Sequence, residues 1–411
     1  MTNKTITLAI ALCAMQCATA QDFDKHFADS TLRLNYIFAG NATKQQIYVD
    51  ELCCSPKWYG RKERLAETPL EGNGQITVKA HGDGTPIYRL SFSTLFQEWL
   101  STPEAQKAGK SFENAFLIPY PKEEVDVTVE LFDNRRRTVA TYTHTVSPSD
   151  ILIRRTGFSH VTPYETLQKA ADTTKCIHIA FVAEGYQSAE MPQFVADART
   201  ATEALFAHEP FKSQRHLFNI VAVMPPSADS GVSTPANGEW KSTALGSHFS
   251  TFYTDRYLTT LRLKTLHDIL AGTPYEHIII LANTTEYGGG GIYNSYNLAY
   301  TRGNQFAPVV VHEFGHSFGG LGDEYDYGSD TPTYFSDIEP WEPNLTTKHD
   351  FSGKWENLVA EGKAGLIEGG GYQREGVYRG FEDCRMRTND VPDFCPVCQQ
   401  ALLRMIKFYT E

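Results

Sequence analysis

The chain has 411 residues, 41% of them hydrophobic, which is enough apolar material for two or three domains with real cores. Its formal net charge of -12 and pI near 5.6 argue against a nucleic-acid partner, because phosphate binding needs a concentrated basic surface. The densest basic run, Arg135-Arg136-Arg137, reads as a solvated hairpin turn.

Residues 1–20 have the layout of an export signal: Lys4 ahead of a short apolar stretch from Ile6 to Met15, then Ala18-Thr19-Ala20 as a small-residue cleavage site. The mature chain then begins at Gln21 and is expected to be secreted, periplasmic or on the cell surface. Lipidation at Cys13 or Cys17 is disfavoured by the bulky Leu12 and Gln16. No later apolar run reaches the roughly 18 residues a membrane span needs, so a soluble mature protein is expected. Cys53, Cys54, Cys176, Cys384, Cys395 and Cys398 remain after cleavage, and disulfides are the default for an exported protein. Cys384 with Cys395 or Cys398 is the local pairing. Cys395-Pro396-Val397-Cys398 also has the form of half a structural zinc site, but no second ligand pair at suitable spacing is visible.

Residues 21–149 show short alternating strands and read as a β-rich, sandwich-like N-terminal domain. Thr31 to Phe38, Gln45 to Val49, and a hairpin of Val125 to Leu131 and Thr138 to Thr145 across Asn134 all fit, with a helix within 94–108. Such a module could position substrate, or cover a site before activation. Cys53-Cys54 could supply a latency thiolate to such a site. From 150 to 411 the pattern changes to strand and helix in turn. Ile177 to Ala183, Leu217 to Met224 and His277 to Leu281 are buried strands. One helix runs from Ser188 to about His208, and another, with apolar residues at helical spacing, from Arg256 to Leu270. The expected fold is α+β or α/β, with a mixed sheet backed by helices. Gly288-Gly289-Gly290-Gly291 then reads equally as a substrate edge over a cleft or as a mobile turn.

Asn304 to Tyr325, NQFAPVVVHEFGHSFGGLGDEY, is the stretch on which function turns. His312 and His316 are four apart, so on a helix both imidazoles reach one zinc ion. Glu313 lies about 100° round the axis, beside the metal, where it can act as base on metal-bound water. Pro308 suits the first turn and Gly319-Gly320 a stop, after which the chain can reverse and bring back Asp323 or Glu324 as third ligand.

The string HEFGHSFGGLGDEY, together with Tyr378 to Arg387 (YRGFEDCRMR), resembles the IgA-peptidase family of bacterial zinc metallopeptidases, which are metzincin-like zincins. The resemblance covers most of 150–411 and, less firmly, the N-terminal module. It implies a catalytic domain built on the HExxH helix, which breaks at Gly319, and a third ligand just beyond. Gly322 occupies the usual slot for that ligand, so Asp323 is preferred over Glu324. It also implies that Met386 supports the metal from beneath, and it makes Tyr378 an oxyanion donor, a role open to Tyr325 too. Residues 325–376 read as loops that wall the cleft, and Val391 to Tyr409 as a closing helix. The acids Asp326, Asp330, Asp337 and Glu339 do not fit a calcium loop. The sequence therefore leads to an exported endopeptidase with one catalytic Zn2+ and a protein or glycoprotein substrate, immunoglobulin among the options. A glycan- or protein-binding surface protein with a structural or vestigial zinc site is the rival.

Overall fold

Strand β1 (Phe27–Gly40) is buried on both sides, as an exposed sandwich strand would not be. Leu32, Leu34, Tyr36 and Phe38 enter an apolar core, while the alternate residues Arg33 and Asn35 are buried against something polar. The structure is a computed structural model that describes residues 22–327 and 333–411. The leader read over 1–20 lies outside the described residues, as does Asp330. Among the described residues no helix is long and apolar enough to cross a membrane.

After the short α1 (Phe23–His26), β1 is followed by β2 (Gln45–Ser55), β3 (Gly74–Ala80), β4 (Pro86–Phe92), α2 (Leu95–Leu100), β5 (Lys110–Pro121), β6 (Val125–Phe132), β7 (Thr138–Val146) and β8 (Arg154–Arg155). The strands make two four-stranded sheets, β5-β1-β2-β8 and β4-β3-β6-β7. Phe38, Phe92 and Phe116 meet between them, the last two with ring centroids 4.3 Å apart. Cys53 and Cys54 lie buried in β2, where Cys53 accepts from Arg33 at 3.1 Å, and neither lines the cleft described below. The latency reading for them has no support.

The second part is built on β9 (Tyr164–Gln168), β10 (Ile177–Glu184), α3 (Met191–Phe206), β11 (Phe218–Val223), α4 (Leu263–Leu270), β12 (His277–Ala282), β13 (Gly289–Ile292), β14 (Tyr296–Tyr300) and α5 (Phe306–Ser317), followed by the short β15 (Leu345–Thr346) and α6 (Glu356–Ala360). Its mixed sheet runs β13-β14-β12-β10-β11-β9, with parallel inner strands and antiparallel edges at β9 and β13. The inner strands are apolar throughout because both faces are covered. Ile179, Phe181, Ile279 and Leu281 pack with α3 and α5, and also with α7 (Pro396–Thr410), the last helix of the chain. Ala180, Val182, Ile278 and Ile280 point the other way, into the same core that fills the sandwich.

That shared core answers the puzzle of β1. Arg33 pairs at 2.5 Å with Asp268 of α4, and Arg154 of β8 reaches the same carboxylate at 3.1 Å. The expected helix over 256–270 is only its second half. Tyr257 and Leu258 instead run along β13, Tyr257 bridging to Gly289, and the Thr260 hydroxyl caps the turn by accepting from the Arg262 amide at 3.1 Å.

The two parts should therefore unfold as one. Urea denaturation followed by near-ultraviolet circular dichroism is expected to give a single transition. Leu266→Ala, at a fully buried site in the shared core, should lower stability by about 2–5 kcal/mol without splitting that transition. Residues 150–411 expressed alone should expose apolar surface and bind a hydrophobic dye.

Candidate metal centre

Helix α5 carries His312, Glu313 and His316 in its last turns, and the apolar residues around them anchor it. Val310, Val311, Phe314 and Phe318 are buried between the sheet and α3, which leaves the histidine face towards solvent. The helix ends in a left-handed turn centred on Gly320 (φ +60°), one residue beyond the glycine expected to break it. The Leu321 amide donates to Gly315 O at 3.1 Å and the Gly320 amide to His316 O at 3.0 Å, so the last carbonyls are satisfied as the chain reverses. Gly319 is needed for contact instead: a Cβ there would lie 2.6 Å from Leu402.

The reversal brings Asp323 under the helix. His312 Nε2 and His316 Nε2 are 3.1 Å apart, and Asp323 Oδ1 is 3.2 Å from each. The other ring nitrogens are engaged, His312 Nδ1 with Arg385 O at 2.9 Å and His316 Nδ1 with Leu321 O at 2.6 Å. Each Nδ1 therefore carries a proton, and both Nε2 atoms face Asp323 Oδ1. With both rings neutral these are three acceptors turned on one point, a convergence that a cation satisfies: a metal ion, or in its absence a proton on His316. The spacing of the three fits a metal ion, since tetrahedral bonds of about 2.0–2.1 Å to zinc put ligand atoms about 3.3 Å apart. The donor set of two imidazoles and a carboxylate suits zinc chemistry.

Glu313 is a second carboxylate near the pair, within 4.8 Å of both histidines. Asp323 approaches far more closely and is tied from both sides: its Oδ2 accepts from Tyr372 Oη at 2.5 Å, and its carbonyl accepts from the Gly371 amide at 2.7 Å. Asp323 is thus the third acceptor and Glu313 stays free beside it. Burial raises the Glu313 carboxyl above its ordinary value, against the pull of His312 and His316, as suits a base. Without an ion, burial lowers His316 but the Asp323 carboxylate outweighs it and lifts the imidazole to about 9. Asp323 itself is held well below the carboxylate range by the histidines, despite its burial.

Met386 is fully buried, with its sulfur against the middle of α5: a Cβ on Gly315 would lie 2.7 Å from Sδ. The structure thus brings Met386 beneath the histidine pair. Tyr378 is a different matter. It stands on β17 (Gln373–Arg379), donates to Glu368 at 3.1 Å, has Lys348 over its ring, and is not among the residues lining the cleft. The tyrosine at the metal centre is Tyr372, at the tip of the turn between β16 (Ile367–Gly370) and β17, with Tyr325 Oη 3.2 Å from its hydroxyl. Tyr372 has φ +66°, a left-handed conformation costly for a bulky side chain, which marks an imposed position.

The centre opens into a cleft of about 1160 Å³, larger than a small-molecule pocket and walled by both parts of the chain. From the second part come Tyr257, Tyr287, Tyr325 and Tyr334. From the sandwich come Glu98 of α2 and the β6–β7 hairpin. Arg135 is not merely solvated there: it stacks on Phe335 at 4.0 Å and pairs with Asp337 at 3.1 Å. Glu98 accepts from Tyr257 Oη, and burial raises its carboxyl to about 7. The glycine run forms the edge strand β13 lying on α5, where a Cβ at Gly289 would meet Glu313 Oε1 at 2.5 Å and one at Gly291 would meet Glu313 O at 2.4 Å.

Tyr372, Glu98 and the carbonyl of Arg385 had no spacing signal. The glycines flanking Tyr372 were the one available hint of a turn there. Because His316 sits near 9 without an ion, a metal must displace a proton at neutral pH. Zinc affinity, measured against a competing chelator, should rise with pH from 7 to about 9 and then level off.

A family model described as IgA Peptidase M64 matches residues 166–365 and 362–406, and one described as Peptidase M64 N-terminus matches residues 22–143. No curated protein matches the chain.

Proposed function

The chain belongs to the IgA Peptidase M64 family, and from that premise we propose that it is an exported zinc-dependent endopeptidase acting on extracellular protein chains. One observation carries the reading: two imidazole lone pairs and a carboxylate oxygen meet at 3.1–3.2 Å on the floor of an open cleft, with a buried carboxylate beside them. His312, His316 and Asp323 would hold the ion. When bound, it supplies Lewis-acid activation of water and polarises the scissile carbonyl.

Glu313 accepts the proton of the attacking water and passes it to the leaving nitrogen, so no covalent intermediate on the protein is needed. The Tyr372 hydroxyl orients Asp323 by donating its one proton to Oδ2. Strand β13, with Tyr257 and Leu258 along its outer side, forms the cleft wall beside Glu313. The tyrosine-lined walls add apolar contact with side chains or sugars. The leader sequence supports export, and the family's name supports immunoglobulin as one substrate to test. A closed four-ligand centre would favour the rival binding-protein reading; here His312, Glu313, His316 and Asp323 line the open cleft.

Glu313→Gln should keep its metal yet lose at least about 10²-fold in kcat on an unfolded protein substrate, the usual worth of a general base. Metal content and turnover measured on the same sample check this; unchanged turnover would remove Glu313 from the mechanism. Tyr372→Phe should lower kcat more than it raises KM. Tyr378→Phe should leave both near wild type, and the reverse result would restore Tyr378 to the site.

A further inference from the structure

Below the metal centre lies a second cluster that peptide hydrolysis does not use. Cys384, Cys395, Cys398 and Glu324 are all buried, and their sulfur and carboxylate atoms lie within 4.8 Å of one another. The cysteines are free, not bridged as an exported chain would suggest: Cys384 Sγ and Cys398 Sγ are 3.7 Å apart, well beyond a disulfide bond of about 2.05 Å. That separation matches two thiolates on a tetrahedral zinc, since Zn–S bonds of about 2.3 Å put the sulfurs about 3.8 Å apart. Cys398 Sγ lies 3.2 Å from Glu324 Oε1, and Cys384 Sγ accepts from the Cys395 amide at 3.2 Å.

Glu324 supplies an independent sign. Its carboxylate is fully buried. Oε1 accepts from Asn344 at 2.9 Å, but Oε2 has no hydrogen-bond partner among the described residues. A buried carboxylate left open on one oxygen is costly unless a cation meets it. Cys395-Pro396-Val397-Cys398 at the start of α7 is half of a zinc knuckle, and the fold brings up the missing half from Cys384 and from the residue after Asp323.

The structure assigns to Glu324, Cys384, Cys395 and Cys398 a second, structural zinc site that locks the catalytic ligands in place. Three thiolates select a soft cation, zinc above magnesium or calcium, and four protein ligands leave no position for substrate. Its place explains its purpose. Asp323 and Glu324 are neighbours that serve different ions. On the facing turn Cys384 belongs to the lower site, Arg385 O holds His312, and Met386 packs under Gly315 and accepts the Glu324 amide at 2.9 Å.

Cobalt and zinc loading of the full mature chain tests this without depending on activity. Wild-type protein reconstituted with Co2+ should show thiolate-to-cobalt charge-transfer absorption, and His312→Ala/His316→Ala should lose one ion but keep that band. Cys395→Ser/Cys398→Ser should lose the band and, by loosening Asp323, weaken zinc at the upper site by about tenfold or more, in the range set by groups that orient ligands. Should that variant fail to fold, native wild type decides: a chelator should speed alkylation of Cys384, Cys395 and Cys398. A wild-type cobalt spectrum without the charge-transfer band, or a Cys384 disulfide to Cys395 or Cys398 in the non-reduced mass, overturns the assignment. The upper site's reading would stand in either case, because its histidines give no such band.

Discussion

The convergence of three ligand-type atoms on one point organises this molecule. Two imidazole nitrogens and a carboxylate oxygen are forced to within 3.2 Å, and much of the surrounding structure exists to hold them there. The Leu321 and Arg385 carbonyls fix the imidazole tautomers. Asn344 clasps both backbone groups of Gly322, donating to its carbonyl at 2.9 Å and accepting from its amide at 2.8 Å, so the loop before Asp323 cannot relax. Tyr372 occupies the remaining oxygen of the carboxylate from a strained backbone. Without a metal the cluster is held by a proton on His316 facing the Asp323 carboxylate, so an ion that binds takes the place of that proton in a site already shaped for it.

Local pattern and tertiary pairing separate clearly in what the sequence disclosed. The HExxH spacing, the apolar runs of β10, β11 and β12, and the N-terminal alternation are features of period, and they appear as helix, buried strands and sandwich because period dictates which face is covered. Nearness to the usual ligand slot favours Asp323 over Glu324; in the structure the two neighbours point opposite ways, Asp323 to the histidines and Glu324 to Cys398. Tyr378 lies off the cleft because the turn through Gly369 to Gly371 puts Tyr372, not the later tyrosine, over Asp323. No spacing could reveal Glu98, which arrives from a different part of the chain, or the carbonyl of Arg385, which is backbone and has no residue signature. The helix over 256–270 was overruled because Tyr257 and Leu258 pair along β13.

The three-cysteine group shows the same limit from another side. A Cys-x-x-Cys pair is readable, but its complement comes from one cysteine and one glutamate that are close only after α7 docks on the sheet. Compartment reasoning led towards disulfides, whereas the local geometry keeps the thiols apart. A carboxylate hidden beneath the substrate floor is the detail that distinguishes the two.

The continuous core beneath sandwich and sheet has one further consequence. Both walls of the groove stand on that core, so a change of packing beneath one is felt by the other, and the width of the opening is set jointly by sandwich and sheet.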